Sequence, residues 1–342
     1  MSGSHRIFTI ENTSQAYPVR EVANEMGREL GFNDTKIGAI NIVINELAHN
    51  LVKHAQIGSM LVAPIISAQS TRSNAMIGLE IISIDRAKGI FDMGHSMKDG
   101  VSTSSSKSMG TGLGAIKRLS DKLEWFSDPG AGTAIVSQFY KDKERSSLKF
   151  DIGAISIALP SEIVCGDGFF VIERGSMLYV LVVDGLGHGV DAGKAADIAL
   201  ETFNGSKSSS PVEFINEMHE SLRHSRGAAL SVAVINTKDA ELTFCGVGNV
   251  TGFISPQDSK KIRLVPSPGT AGYEYRKLKD WTYPWSQDSV LILHTDGLST
   301  KLDLLENLKQ KSSTTIAAIL LRDYWRGMDD GTVLAIKTEK QN

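Results

Sequence analysis

Met177-Leu-Tyr-Val-Leu-Val-Val-Asp184-Gly185 and Ser289-Val-Leu-Ile-Leu-His-Thr-Asp296-Gly297 are two short apolar runs, each ending in Asp-Gly. Runs of this length, rich in Val, Leu and Ile and closed by turn residues, read as buried strands. Each delivers a carboxylate at its end, and the glycine that follows lets the backbone approach a neighbour closely. Gly166-Asp167-Gly168 upstream and Asp329-Asp330-Gly331-Thr332 downstream bring the acidic turns in this half of the chain to four. Several carboxylates without a nearby Cys/His cluster suit hard, oxygen-seeking cations such as Mg²⁺ or Mn²⁺. One Asp-Gly by itself reads as a capped turn. The ordered set points instead to a metal-dependent hydrolase in the C-terminal half.

The order Asp167-Gly168, then Asp184-Gly-Leu-Gly-His-Gly189 followed by Ala192, then Asp296-Gly297, then Asp329-Asp-Gly-Thr332 before the strand Val333–Ile336 is specific. It resembles the metal-dependent Ser/Thr protein phosphatases, in their bacterial SpoIIE/RsbX branch, over residues 150–338. The resemblance implies that Asp184 bridges two metal ions and that the Gly185 carbonyl helps to bind one. It implies that Asp167 serves the second metal, directly or through water, that Asp296 and Asp329 complete the first, and that Asp330, standing where relatives carry Asp or Asn, also belongs to the metal site. Two metals roughly 3.5–4 Å apart hold a bridging water, lower its pKa and clamp the phosphoryl oxygens during in-line attack.

The N-terminal half carries a second constellation. Thr35 to Ala55 has Ile37, Ile40, Val43, Ile44, Leu47 and Leu51 at amphipathic-helix spacing, with Asp34 or Thr35 as the expected cap. The other face shows Glu46 and Asn50, one turn apart. Ile81-Ile-Ser-Ile-Asp85 reads as a strand ending in a carboxylate, followed by Gly89. Gly110-Thr-Gly-Leu-Gly114 opens an expected helix, Ala115 to Leu123. Glycine-rich backbone at a helix N-terminus cradles phosphate, because free N–H groups and the helix dipole both favour an anion.

Asn45-Glu-Leu-Ala-His-Asn50 with Lys53-His54-Ala55, then Asp85 and the glycines, resembles the GHKL (Bergerat-fold) ATP-binding family. Within it, Arg28-Glu-Leu-Gly-Phe32, Asp99-Gly-Val-Ser-Thr103 and Ile116-Lys-Arg-Leu-Ser-Asp121 are similar to the RsbT-type switch kinases, over residues 5–140. The resemblance implies that Asn50 binds the Mg²⁺ of ATP and that Glu46 is the general base, directly or through water. Asp85 would meet the adenine amino group, with Gly89, Gly110, Gly112, Gly114 and Thr133 lining the nucleotide. Asp85-Arg-Ala-Lys-Gly89 departs from the pattern, with Ala87 where relatives often carry glycine. Its methyl group is expected to crowd the adenine loop or to demand a strained φ, and so to weaken ATP affinity.

Length and composition agree with two enzymatic modules. A chain of 342 residues accommodates two cores, expected at 1–141 and 148–340, with the boundary in the polar stretch Lys141-Asp-Lys-Glu-Arg-Ser-Ser147. A net charge of −3 carries no nucleic-acid signature, and no long basic block suggests a membrane surface. Cys165 and Cys245 read as buried hydrophobes. With no secretory signal or long apolar span, the chain is expected to be cytoplasmic. The serine-rich stretches 102–108 and 206–210 read as mobile loops, the first in the expected ATP lid. His49, His54, His188 and His294 match no zinc spacing, and His188 and Asn249 read as shaping their loops.

The fold class expected is α/β in two domains. The first is a GHKL ATP-binding α/β sandwich, one mixed sheet covered by helices on one face. The second is an α-β-β-α metal-dependent phosphatase sandwich, with metals at the ends of its central strands. The resemblances imply a bifunctional partner-switching regulator using ATP with Mg²⁺ in one half and two Mn²⁺ or Mg²⁺ in the other. Its expected partners are STAS-domain antagonist or scaffold proteins, with a downstream regulator or sigma factor beyond them. A second reading keeps the ATP domain as a non-catalytic, anti-sigma-like clamp beside a working phosphatase. A third, with both sites degenerate and the chain a scaffold, sits poorly with the retained Glu46, Asp184 and Asp296.

Overall fold

A computed structural model of the chain describes residues 4–66, 76–89, 112–141, 149–257 and 259–339. Gly110, the 99–103 stretch, the serines of 102–108 and the connector 142–147 lie outside the described residues. Contacts divide the chain into two units, His5–Ser67 with Ala75–Arg145, and chiefly Ser146–Asn342.

The first unit is built on a sheet of β1 (Arg6–Ile10), β2 (Gly58–Ile66), β3 (Met76–Asp85), β4 (Lys122–Asp128) and β5 (Gly132–Tyr140), in the order β1-β2-β3-β5-β4. Every hydrogen-bonded pair is antiparallel, so the expected mixed sheet is corrected. The reason lies in the turn 129–131: β5 doubles back from β4 and inserts beside β3, so the two parallel strands of the helical crossover never pair. Helices α1 (Ala16–Glu29), α2 (Asp34–Asn50) and α3 (Gly112–Leu119) belong to the same unit. The apolar stripe of α2, Ile40, Val43, Ile44 and Leu47, shares a buried core with Met60 and Val62 of β2 and Leu79 and Ile81 of β3.

Three helix boundaries differ from the expectation. Asn33, extended at φ −76 and ψ 166, caps α2 by accepting the Lys36 N–H at 2.9 Å, which makes Asp34 the first helical residue. The α-helix stops at Asn50 and continues as one π-helical turn, Leu51–Ala55, a feature frequent at functional sites. Helix α3 ends at Leu119 rather than Leu123, because the Asp121 N–H bonds to the Gln138 carbonyl and leads the chain into β4.

The second unit has two antiparallel five-stranded sheets. β7 (Asp167–Arg174), β8 (Met177–Gly185), β9 (Ala228–Asn236), β10 (Glu241–Val247) and β15 (Trp281–Pro284) form one, with β7 at its edge. β6 (Phe150–Ile157), β11 (Thr251–Ser255), β12 (Ile262–Leu264), β16 (Val290–His294) and β17 (Gly331–Thr338) form the other. A small hairpin, β13 (Gly269–Thr270) and β14 (Glu274–Tyr275), stands apart. Helices α4 (Val190–Gly205) and α5 (Pro211–Leu222) cover the first sheet, with Phe203 and Phe214 packed on Phe170, Leu181 and Leu230. Helix α6 (Ser313–Tyr324) lies on β6 and β17. Leu178, Val180 and Val182 of β8 meet Leu291, Leu293, Leu334 and Ile336 between the sheets. Tyr179, Leu181 and Val183 point the other way, to the helices. With a period of two and both faces covered, β8 reads as an unbroken apolar run.

The layers are thus α-β-β-α. Residues 206–210 are not a loose loop: Ser206 is buried, and Ser210 caps α5 in a capping box with Glu213. Among the described residues, no helix is long and apolar enough to cross a membrane.

Candidate functional site

In the second unit the five aspartates singled out by sequence come to one end of the two sheets. Asp167 opens β7 and is the direct cross-strand partner of Asp184 on β8. Strands β16 and β17 pair up to His294–Val333, so Asp296 and Asp329–Asp330, just past the pairing, emerge at a common end. Gly297 lies against the Asp330 carbonyl with no room for a Cβ, which explains the Asp-Gly pair. The metals were expected at the ends of central strands, but Asp167 begins an edge strand.

Each carboxylate is held differently. Asp167 is buried, and its Oδ2 accepts the Thr295 hydroxyl at 2.7 Å. Asp296 Oδ2 accepts Asn249 Nδ2 at 2.6 Å, while the Asp296 carbonyl accepts the Arg326 guanidinium. Asp329 Oδ1 takes the Asp330 N–H at 2.9 Å. Asp330 has both oxygens engaged, with the Leu159 and Gly166 N–H groups each at 2.6 Å. The Gly166 carbonyl in turn accepts the Gly185 N–H at 2.9 Å, so Asp330 organises the segment that leads into Asp167 and holds Gly185. Thr295, Asn249 as a side-chain tether, and Arg326 escaped the sequence reading. Thr295 and Asn249 each adjoin a motif, yet nothing in their spacing marks a contact across 128 or 47 residues.

His188 is exposed and its Nδ1 pairs with Glu162 at 2.7 Å, whereas His294 is buried with Nδ1 donating to the Thr295 carbonyl. Burial pushes the Cys165 thiol up, which marks it as an inert hydrophobe beside Ser156.

Burial, then the charges of Asp296, Asp329 and Asp330, push Asp184 up to about 8. Burial and the charge of Asp184 likewise raise Asp167. Carboxylates that raise one another in this way fit a divalent cation, which supplies the missing counter-charge. Among the described residues, no three His, Cys, Asp or Glu side chains close around one point by themselves.

The raised carboxylates give the metal-free protein a pH signature. They hold protons in the folded state that the unfolded chain releases near the ordinary carboxylate pKa. For Asp184 the stabilising contribution is full below that range and is lost as pH rises through about 8, and Asp167 acts in the same direction. In EDTA, calorimetry should show the phosphatase unit less stable at pH 8.5 than at pH 5, by on the order of 2 kcal/mol. Saturating Mn²⁺ should flatten the trend. Greater stability at high pH in EDTA would contradict the mutual repulsion.

In the first unit the structure brings Glu46, Asn50 and Gly112 together. A Cβ on Gly112 would stand 2.6 Å from Glu46 Oε2 and 4.0 Å from Asn50 Oδ1, so the N-terminus of α3 abuts the polar face of α2. Asn50 Nδ2 is buried without a hydrogen-bond partner among the described residues, an observation that fits a ligand bound there. The neighbouring Asn45 is held by the Arg20 guanidinium, and its carbonyl accepts the His49 ring N–H at 3.0 Å. Asp85 ends β3 directly opposite Thr133 of β5, and Thr133 Oγ1 meets Ser127 Oγ at 3.0 Å. Gly114 lies in the first turn of α3.

Of the two expectations for Ala87, the strained φ is not borne out. Among the described residues only Gln56 and Ala240 are non-glycine residues with positive φ; the left-handed position in this loop belongs to Gly89, at φ +72. The Ala87 N–H donates to Asp85 Oδ1 at 2.8 Å, a compact turn that alanine makes without strain. Ala87→Gly should therefore leave ATP affinity within about twofold, because no strain is relieved and glycine adds only unfolded-state freedom. Calorimetry showing a tenfold gain would restore the crowding argument.

Comparison with known proteins matches each unit separately. The family model for the histidine kinase-like ATPase domain matches residues 9–138, and that for stage II sporulation protein E (SpoIIE) matches residues 174–339. The chain is 34% identical over 116 residues to the serine/threonine-protein kinase RsbT of Bacillus subtilis, covering 34% of this chain and 81% of the relative. It is 28% identical over 167 residues to the phosphoserine phosphatase RsbX of Bacillus subtilis, covering 49% of this chain and 83% of the relative. The crystal structure of RsbX with magnesium superposes with a TM-score of 0.51 at 25% identity, over 57% of this chain and 98% of that one. A chain solved in work on the bacterial stressosome gives 0.53 at 25% identity, over 56% of this chain and 100% of that one.

Proposed function

The chain belongs to the serine/threonine switch-kinase family of RsbT through its GHKL-type N-terminal domain, fused to a SpoIIE/RsbX-type phosphatase domain, and from that premise we propose that it both writes and erases phosphate on Ser or Thr of STAS-domain proteins. The observation that carries the reading is the pairing, in one chain, of the Glu46–Asn50–Gly112 cluster with the five gathered aspartates.

In the kinase half, Glu46 accepts the proton of the substrate hydroxyl as its oxygen attacks the γ-phosphorus of ATP and the bond to ADP breaks. Asn50 would hold the Mg²⁺ that accompanies ATP, and Asp85 with Thr133 and Gly89 would receive the adenine. Gly112 and Gly114, in the first turn of α3, would present backbone N–H groups to the phosphates, a role the motif also gives to Gly110.

In the phosphatase half, Asp184 and the Gly185 carbonyl, with Asp167, Asp296 and Asp329, form the metal-binding wall. Two Mn²⁺ or Mg²⁺ held there would supply an activated water and neutralise the phosphoryl oxygens. Asp330 shapes this wall through the Leu159 and Gly166 amides. The exposed apolar side chains of Ile163, Leu186, Val190 and Met328 flank the acidic turns, which favours a protein over a small phosphomonoester as substrate. Likeness to a chain from work on the bacterial stressosome is in keeping with the STAS-domain partner proposed, beyond which a sigma factor or other regulator is part of the same proposal.

Incubating the purified chain with a STAS-domain protein and Mg-ATP labelled in the γ-phosphate tests both halves. Label should enter the STAS protein, and should leave it when ATP is removed and Mn²⁺ added. A stable, nucleotide-dependent complex without transfer would instead make the N-terminal domain an anti-sigma-like clamp.

A further inference from the structure

Behind the acidic centre, buried hydroxyls join the two sheets of the phosphatase unit. Thr295 follows β16, Thr332 is the second residue of β17 and Ser156 is the penultimate residue of β6; all three are buried. The Thr332 N–H donates to Thr295 Oγ1 at 3.0 Å, and Thr295 Oγ1 donates to Asp167 Oδ2 at 2.7 Å. Thr332 Oγ1 donates to Ser156 Oγ at 2.8 Å, and the Thr332 hydroxyl also favours the charged form of Asp167, after Thr295.

A peptide N–H can only donate. It therefore occupies an acceptor lone pair of the Thr295 hydroxyl and leaves that hydroxyl's single proton for Asp167. The backbone removes the remaining freedom: the Thr295 N–H donates to the Thr332 carbonyl at 3.0 Å, and the Thr295 carbonyl accepts His294 Nδ1 at 2.9 Å. With Asp167 ionised, the chain of donation runs from Thr332 through Thr295 to Asp167. It reaches from the second sheet to the edge strand of the first and pins Oδ2, which sets the plane in which Oδ1 lies.

We propose that Thr295 is the positioning residue for Asp167 at the second metal, its hydroxyl holding the carboxylate in the orientation that binds the ion or its water. The proposal rests on the two-metal reading given above. An isosteric change should separate orientation from packing. Thr295→Val keeps the shape and removes the donor, Thr295→Ser keeps the donor, and Thr295→Ala removes the donor with less bulk if valine does not fold.

Mn²⁺ is titrated calorimetrically into the metal-free full chain of each variant, and urea midpoints are measured without metal. The wild type and Thr295→Ser should bind two ions alike, whereas Thr295→Val or Thr295→Ala should weaken one site by about 10–100-fold, the usual scale for a lost outer-shell bond. Asp167→Asn should weaken the same site, and combining it with Thr295→Val should add little, because one residue acts through the other. Two unaltered sites in Thr295→Val, with only a lower urea midpoint, would overturn the proposal and make the hydroxyl purely structural. Equal loss in Thr295→Ser, or full additivity with Asp167→Asn, would overturn it as well. A wild-type chain that binds no Mn²⁺ would instead sink the phosphatase reading itself.

Discussion

Asp184→Asn is expected to lower dephosphorylation by ~10³-fold or more, with no recovery in excess Mn²⁺. Asp184 lies at the focus of the cluster: Asp167 is its cross-strand partner, and Asp296, Asp329 and Asp330 all act on its charge. Asparagine keeps the shape but removes charge from the proposed bridge between two ions, so neither site is left intact. Asp329 is assigned to one ion only, and Asp329→Asn should recover in part at high Mn²⁺ by mass action. Labelled phosphate release from a phosphorylated STAS protein, measured across a Mn²⁺ series, distinguishes the two variants. Near-normal turnover in Asp184→Asn, or wild-type activity in excess EDTA, would mean that the acidic turns are structural. Kinase activity should be unchanged in both variants.

Glu46→Gln should abolish phosphoryl transfer, by roughly 10²–10⁴-fold, while ATP binding is preserved. The amide retains the contact with Gly112 at the start of α3 but cannot take a proton. Asn50→Asp should act differently, because a second carboxylate one turn from Glu46 repels the phosphates and weakens Mg-ATP binding itself. Transfer to the STAS protein and calorimetric ATP affinity, measured side by side, separate base from binding residue. A Glu46→Gln variant transferring at the wild-type rate would remove Glu46 from the chemistry. Loss of ATP affinity in Glu46→Gln would mean that the carboxylate binds rather than catalyses.

What could be read from the residues and what could not follow the range over which each signal acts. The α2 stripe, the strand runs that end in Asp184 and Asp296, and the order of the acidic turns are local patterns with known periods, and they were legible without coordinates. The helix ends were less so, since Asn33, Asp34 and Thr35 are all competent caps and only the extended backbone of Asn33 selects one. At Ala87 the motif suggests a glycine backbone, but the left-handed conformation falls two residues later, at Gly89.

By itself the sequence determined two modules, their order and the residue types offered to each reaction, because short motifs and hydrophobic periods are properties of neighbours along the chain. Only the tertiary structure decided that β5 lies between β3 and β4, making every pair in the first sheet antiparallel. Only there does Asp330, adjacent to Asp329 in the chain, turn both oxygens to the amides of Leu159 and Gly166, more than 160 residues away. The Thr295 hydroxyl likewise finds Asp167 across 128 residues. Such partners are chosen by where buried donors and acceptors must pair once water is excluded, and that condition exists only in the packed fold.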